Sequence, residues 1–317
     1  MKLILGHNVL NLKFVLVILM GSFLTSCEEV FFPKLEDVEP QLVVDAWINN
    51  QPEPQTIRIT QTQGYFDAVI PPGIQNAQVR VFDQFGRRFD FVETGTDGEY
   101  VWNPTPEQPS ITEIGIDYHL RIDVDGQTFE SISTMNRVPA MDSVTFRYEP
   151  GNGFFPESYF AEFYARDIIG PGDTYWIKAW KNGMYLNKPN EINIAFDAGF
   201  SAGGNIDGIF FIQPIRDGIN PFEIDENDEF IPPYDPGDSV FVEIHSITYD
   251  AFVFLTEVRI QTDRQGGFAE LFAVPLANVP TNIINNDPNG PQALGYFCVS
   301  AVSEGGKWLD PDNLPVE

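Results

Sequence analysis

The sequence predicts an all-β protein: an N-terminal immunoglobulin-like β-sandwich followed by a second β-rich domain that carries one amphipathic helix. Three observations predict it. Apolar and polar residues alternate with the period of a half-buried strand in segment after segment. Turn signals recur roughly every ten residues through about residue 138, the spacing of a sandwich of immunoglobulin size. Gly (26) and Pro (25) are plentiful, and aromatics reach 14%, in a chain of 317 residues. That composition suits many short strands around a real core better than long helices or general disorder.

Residues 1–26 read as an address. Lys2 and Lys13 precede the apolar run Phe14 to Leu24, with no acid among them. That run is too short to span a bilayer, which takes about 20 residues, and has the length of a signal-peptide core. Leu24-Thr25-Ser26-Cys27 resembles a lipobox, where small residues precede the cut and a thiol accepts diacylglycerol. Cys27 is therefore the expected lipidation site. Several acyl chains would hold a protein that a single chain would hold only marginally. Glu28 and Glu29 follow, and this acidic pair resembles the signal that sends lipoproteins to the outer face of Bacteroidota-type cells. Residues 27–40, acidic and broken by Pro33 and Pro40, read as a tether.

The β-sandwich is expected over residues 41–139. It opens at Gln41-Leu42-Val43-Val44-Asp45-Ala46-Trp47-Ile48, ended by Asn49-Asn50. Ile57 and Ile59 alternate with Thr56, Arg58 and Thr60, as do Ala77, Val79 and Val81 with Gln78 and Arg80. Tyr118, Leu120, Ile122 and Val124 form the clearest case, with His119, Arg121 and Asp123 on the opposite face. Asp125-Gly126 then predicts a tight hairpin turn. Val138-Pro139-Ala140-Met141-Asp142 is the expected domain boundary, and residues 140–317 the second domain.

In that second domain Tyr175 to Lys181 runs into Asn182-Gly183 and then Met184-Tyr185-Leu186, a strong hairpin signal. Ile192, Ile194 and Phe196 alternate, as do Val240, Val242 and Ile244. From about 249 to 265 the pattern changes. Ala251, Phe254, Leu255 and Val258 follow helical spacing, with Thr248 or Asp250 as the start cap and Gly266 as the stop. No internal repeat of fixed period stands out.

Several of these pieces, in their order, resemble an uncharacterised family of Bacteroidota outer-membrane lipoproteins. The family is classed as a domain of unknown function and is often encoded beside TonB-dependent receptors. The matching pieces are the Leu42–Ile48 strand after the tether and Ile74–Asp83 with its A-x-V-x-V-x-D strand. Ile116–Ile122, Val138-Pro139, Asp142-Ser143-Val144, Ala277–Ile283 and Ala293–Phe297 follow. Cys298 departs from the pattern, where a small polar residue is more usual. The resemblance implies an accessory role at the outer membrane, beside a TonB-dependent β-barrel receptor, and brings no catalytic residues to carry over.

Formal net charge is −28, from 46 acidic and 18 basic residues. Cleavage before Cys27 would remove two lysines and take the mature chain to about −30. Such a surface repels phosphate backbones, so no nucleic-acid partner is expected. Among the histidines, His7 leaves with the leader, His119 points outward from a strand, and His245 shares a polar-leaning face with Glu243. That is too scattered for zinc, and no nucleophile elbow accompanies them. Cys298 reads as a buried inert thiol. Asp225-Glu226-Asn227-Asp228-Glu229 could hold calcium through its oxygens but lacks EF-hand spacing, and a solvated loop is the plainer reading. Gly199–Asn205 is glycine-rich without the Lys-Ser/Thr of a phosphate cradle. The aromatic run Phe154-Phe155, Tyr159-Phe160 and Phe163-Tyr164 suits a core or interface better than a sugar contact.

No catalytic, cofactor or metal site is expected. The expected function is a non-enzymatic accessory or binding module of a TonB-dependent transporter, anchored in the outer membrane through lipid on Cys27 and facing the exterior. The alternatives are a structural or adhesive surface spacer and a hydrolase with an unrecognised site. A concave aromatic surface separates binding module from spacer, because only the first needs one.

Overall fold

The computed structural model describes residues 39–64, 70–153, 155–201, 206–227, 229–264, 267 and 273–314. The expected signal peptide, Cys27, Glu28, Glu29 and nearly all of the tether lie outside the described residues. So do Phe154, Asp228, Gly266 and residues 202–205.

The first seven strands are β1 (Leu42–Asn49), β2 (Gln55–Gln61), β3 (Gln78–Asp83), β4 (Arg88–Glu93), β5 (Glu99–Trp102), β6 (Asp117–Val124) and β7 (Gln127–Thr134). β2, β3 and β6 follow the predicted alternation, and β4 and β5, which no predicted run covered, alternate in the same way. In β1 the inward residues Val44, Ala46 and Ile48 are buried, and in β6 Tyr118, Leu120, Ile122 and Val124 are. The β6–β7 turn is the predicted one, with Asp125 at φ 49° and Gly126 at φ 74°, the left-handed pair that a two-residue hairpin needs.

The chain then builds β8 (Met141–Glu149) and β9 (Ser158–Ala165), followed by β10 (Thr174–Lys181), β11 (Met184–Tyr185) and β12 (Asn193–Phe196). Asn182 and Gly183 turn β10 into β11 as predicted, with φ 52° and 78°. A four-residue helix α1 (Gln213–Arg216), the short hairpin β13 (Glu223–Ile224) and β14 (Phe230–Ile231), and the long β15 (Ser239–Ile247) come next. The predicted helix is α2 (Tyr249–Thr262). Thr248 caps it by accepting a hydrogen bond from the Ala251 N–H. Its buried residues are Ala251 and Leu255, while Tyr249 and Ile260 are exposed, so apolar surface is not confined to the packed side. The last strands are β16 (Ile284–Asn285), β17 (Ala293–Ser300) and β18 (Val302–Trp308).

The all-β expectation holds. Nine strands form one sheet in the order β16-β7-β6-β3-β4-β5-β2-β1-β17, which curls into a nearly closed barrel-like structure. The Val299 N–H of β17 donates to Ser133 Oγ of β7 at 3.0 Å, close to where the sheet meets itself. A single core of Ile57, Ile59, Val81, Phe89, Ile122, Phe297 and their neighbours fills the inside. A second sheet runs β11-β10-β15-β18, with β12 also on β10, over a separate core that includes Phe163, Tyr175, Ile177 and Val242.

Residues 140–317 are not confined to that second sheet. β16 and β17 return to the first, and β17 lies parallel to β1 from Leu42↔Ala293 to Asn49↔Ser300. A parallel pair requires a long crossover, here everything between the two strands. Val138 packs against both cores.

Candidate functional site

A strand has two faces, and filling a core uses only one. In β1 the residues left over are Val43, Asp45 and Trp47. In β10 they are Trp176, Lys178 and Trp180, and in β15 they include Glu243 and His245. These leftover faces of the two sheets turn toward each other beside α2. There a third cluster forms from Ile194, Ile247, Ala251, Leu255, Tyr296 and Cys298, with Trp47, Trp176, Phe252 and Phe254 packed against it.

The rings interlock. Trp47 meets Trp176 edge-on with centroids 4.9 Å apart, and stacks on Tyr296 at 5.6 Å. Phe254 of α2 lies 4.6 Å from Tyr296. Together they wall an open cavity of about 370 Å³, lined also by Asp45, Tyr185, Leu186, Glu191, Ile192 and Val258. Its size is that of a small-molecule site, and its lining is mostly apolar with a few polar groups.

Those polar groups are poorly satisfied by the protein. The Asp45 carboxylate makes no hydrogen bond among the described residues. Partial desolvation pushes its pKa up, and Lys178 and then Arg58 pull it back. Glu191 receives the Lys188 N–H at 2.7 Å on Oε2, but its Oε1 is buried without a partner. The Lys178 ammonium sits 4.2 Å from the centre of the Trp176 ring, a cation–π contact. Burial pushes its pKa down, against the pull of Glu243 and Asp45. Burial likewise drives the Tyr185 and Tyr296 hydroxyls upward, so both stay protonated.

Next to this cavity Glu243 and His245 form a closed pair, Nε2 to Oε2 at 2.7 Å. Burial and then Lys178 hold His245 well below its ordinary pKa, so the ring is neutral and donates its Nε2–H to the carboxylate. Its hydrogen-bond partner is Glu243, with no serine or cysteine in that role. Rings and carboxylates facing a hollow can hold a ligand, and no nucleophile–base pair lies among the described residues that line it.

The other predicted residues fall elsewhere. Cys298 is fully buried, 3.9 Å from Ser300 Oγ, and burial pushes its thiol up. His119 is exposed on β6, in a second recess of about 680 Å³ with Arg80 and Arg121. Asp225 Oδ1 accepts the N–H groups of Asn227 and Glu229 at 2.8 and 2.9 Å, so this carboxylate organises the β13–β14 turn. Among the described residues no group of three or more His, Cys, Asp or Glu is placed to hold a metal. Gly199 pairs with Phe196 in a turn. In β9, Phe163 is core beside Phe211 and Phe160 lies under Arg147, while Phe155, ahead of the strand, meets Phe230.

Sequence reasoning missed the cleft. Its signal was present as Trp176-x-Lys178-x-Trp180, an aromatic and charged outward face where a solvated strand carries small polar residues. Nothing local says that Trp47 is its counterpart.

Residues 28–305 match the model of a protein family described as a domain of unknown function, DUF4249. No curated protein matches the chain. Among the described residues no helix is long and apolar enough to cross a membrane.

Proposed function

We propose, from the premise that the chain belongs to the DUF4249 family, that it is a lipid-anchored binding module of the bacterial outer membrane. In this reading Cys27 carries the acyl chains, Glu28 and Glu29 direct the protein to the outer face, and the β-rich body serves a TonB-dependent transporter without catalysing a reaction. The sequence supports the anchor through the apolar leader and the Leu24-Thr25-Ser26-Cys27 pattern.

The observation that carries the binding role is the cleft between the sheets. A spacer gains nothing from rings and carboxylates around a hollow of about 370 Å³, because apolar area left facing water forgoes burial energy. A binding module requires such a surface.

The test is purification of the native chain from solubilised outer membranes. A β-barrel receptor recovered in near-equal amount supports the partnership, and its absence at that ratio sinks it. Deletion separates the spacer alternative: loss of nutrient uptake supports the module, whereas loss of attachment with uptake intact supports the spacer. Mass spectrometry of the native protein should find Cys27 acylated and the leader gone.

A further inference from the structure

We propose that the cleft takes a small ligand with an apolar body and a cationic group, such as an aryl- or alkylammonium. This deepens the binding-module reading and rests on it.

The first ground is charge at the cavity wall. Among the described residues, the charged ones lining it are Asp45 and Glu191, both acidic. Asp45 is exposed at the mouth, with no hydrogen bond to its carboxylate among the described residues, and Glu191 keeps Oε1 buried without a partner while its Oε2 accepts the Lys188 N–H. A buried acceptor left open costs free energy that a donor from a ligand would recover. The nearby charges do not reverse the sign. Lys178 lies outside the lining and interacts with Glu243 first and Asp45 second, Arg58 pairs with Glu99 at 3.7 Å, Lys188 pairs with Glu223 at 2.5 Å, and Arg259 donates to the Ile192 carbonyl at 3.5 Å. His245 is neutral.

The second ground is the rings. Trp47, Trp176, Tyr185 and Tyr296 offer electron-rich faces, which attract cations and do nothing for anions. The molecule already demonstrates the contact, with the Lys178 ammonium over Trp176. Leu186, Ile192 and Val258 supply aliphatic wall for an apolar body. The chain's net charge of −28 would also concentrate cations near it.

The experiment is calorimetric titration of the full chain with three matched probes: 4-phenylbutylammonium, 4-phenylbutan-1-ol and 4-phenylbutanoate. The ammonium should bind about tenfold tighter than the alcohol, and the carboxylate more weakly than either. Asp45→Asn and Glu191→Gln should each lower ammonium affinity by about fivefold while leaving the alcohol unchanged. Both variants keep an acceptor oxygen, and thermal melts verify their folding. An ammonium that binds no tighter than the alcohol, or a preference that survives both substitutions, overturns the ligand class and leaves the binding-module reading standing. Failure of all three probes to bind overturns the cleft as a ligand site, and the module reading with it.

Discussion

Trp47 of the first sheet and Trp176 of the second meet edge-on with ring centroids 4.9 Å apart, and this contact joins two bodies that each have their own core. Edge-to-face pairs are worth about 1 kcal/mol beyond the area they bury. Trp47→Ala, which also removes the stacking on Tyr296, should cost about 3 kcal/mol in urea unfolding. The double-mutant cycle with Trp176→Ala should leave a coupling of about 1 kcal/mol, and additive single effects would show that the rings touch without stabilising each other.

Gly295 sits opposite Val44 in the parallel β1–β17 pair at φ +89°, and a Cβ there would collide with the Val44 carbonyl. Gly295→Ala should therefore cost about 3 kcal/mol or more. Gly126, at φ +74° with open space around it, is the control and should cost only about 1 kcal/mol as alanine. Equal losses at the two sites in denaturant titrations would mean that the close approach of β17 to β1 is not what Gly295 provides.

His245 gives the protein an acid-sensitive element. Its folded pKa is far below 6.5, so below pH 6.5 the unfolded chain takes up a proton that the folded chain refuses. Stability then falls as pH drops through that region. Glu243, whose pKa burial raises, acts in the opposite sense from about its ordinary value upward. His245→Gln keeps a donor for Glu243 and should flatten the loss of stability between about pH 6.5 and 5. An unchanged slope in urea titrations across that range would exclude His245 as its source.

Asp123 works at lower pH. Arg121 donates to both of its oxygens, at 3.0 and 2.9 Å, and Thr128 adds a bond at 2.6 Å. Arg121 first, then Thr128, bring its pKa down to about 2 against the raising effect of partial burial. The stability it contributes is present above the ordinary aspartate range and is lost as pH falls toward 2. Asp123→Asn should cost about 1 kcal/mol at pH 7, discounted for solvent screening, and nothing measurable near pH 2. A cost that persists at pH 2 would assign the effect to packing.

The sequence by itself determined what depends on near neighbours. Alternation placed Val79, Val81, Leu120 and Ile122 inside, Asp125-Gly126 and Asn182-Gly183 made the turns they announce, and Thr248 began the helix. Period, turn chemistry and capping act over a few residues, so each can be read where it stands. Only the tertiary structure decided that β17 returns to lie beside β1, and that the outward faces of β1 and β10 close on a shared hollow. Those outcomes rest on pairings far apart in the chain. An outward-facing Trp47 or Lys178 looks the same in sequence whether water or another sheet lies in front of it.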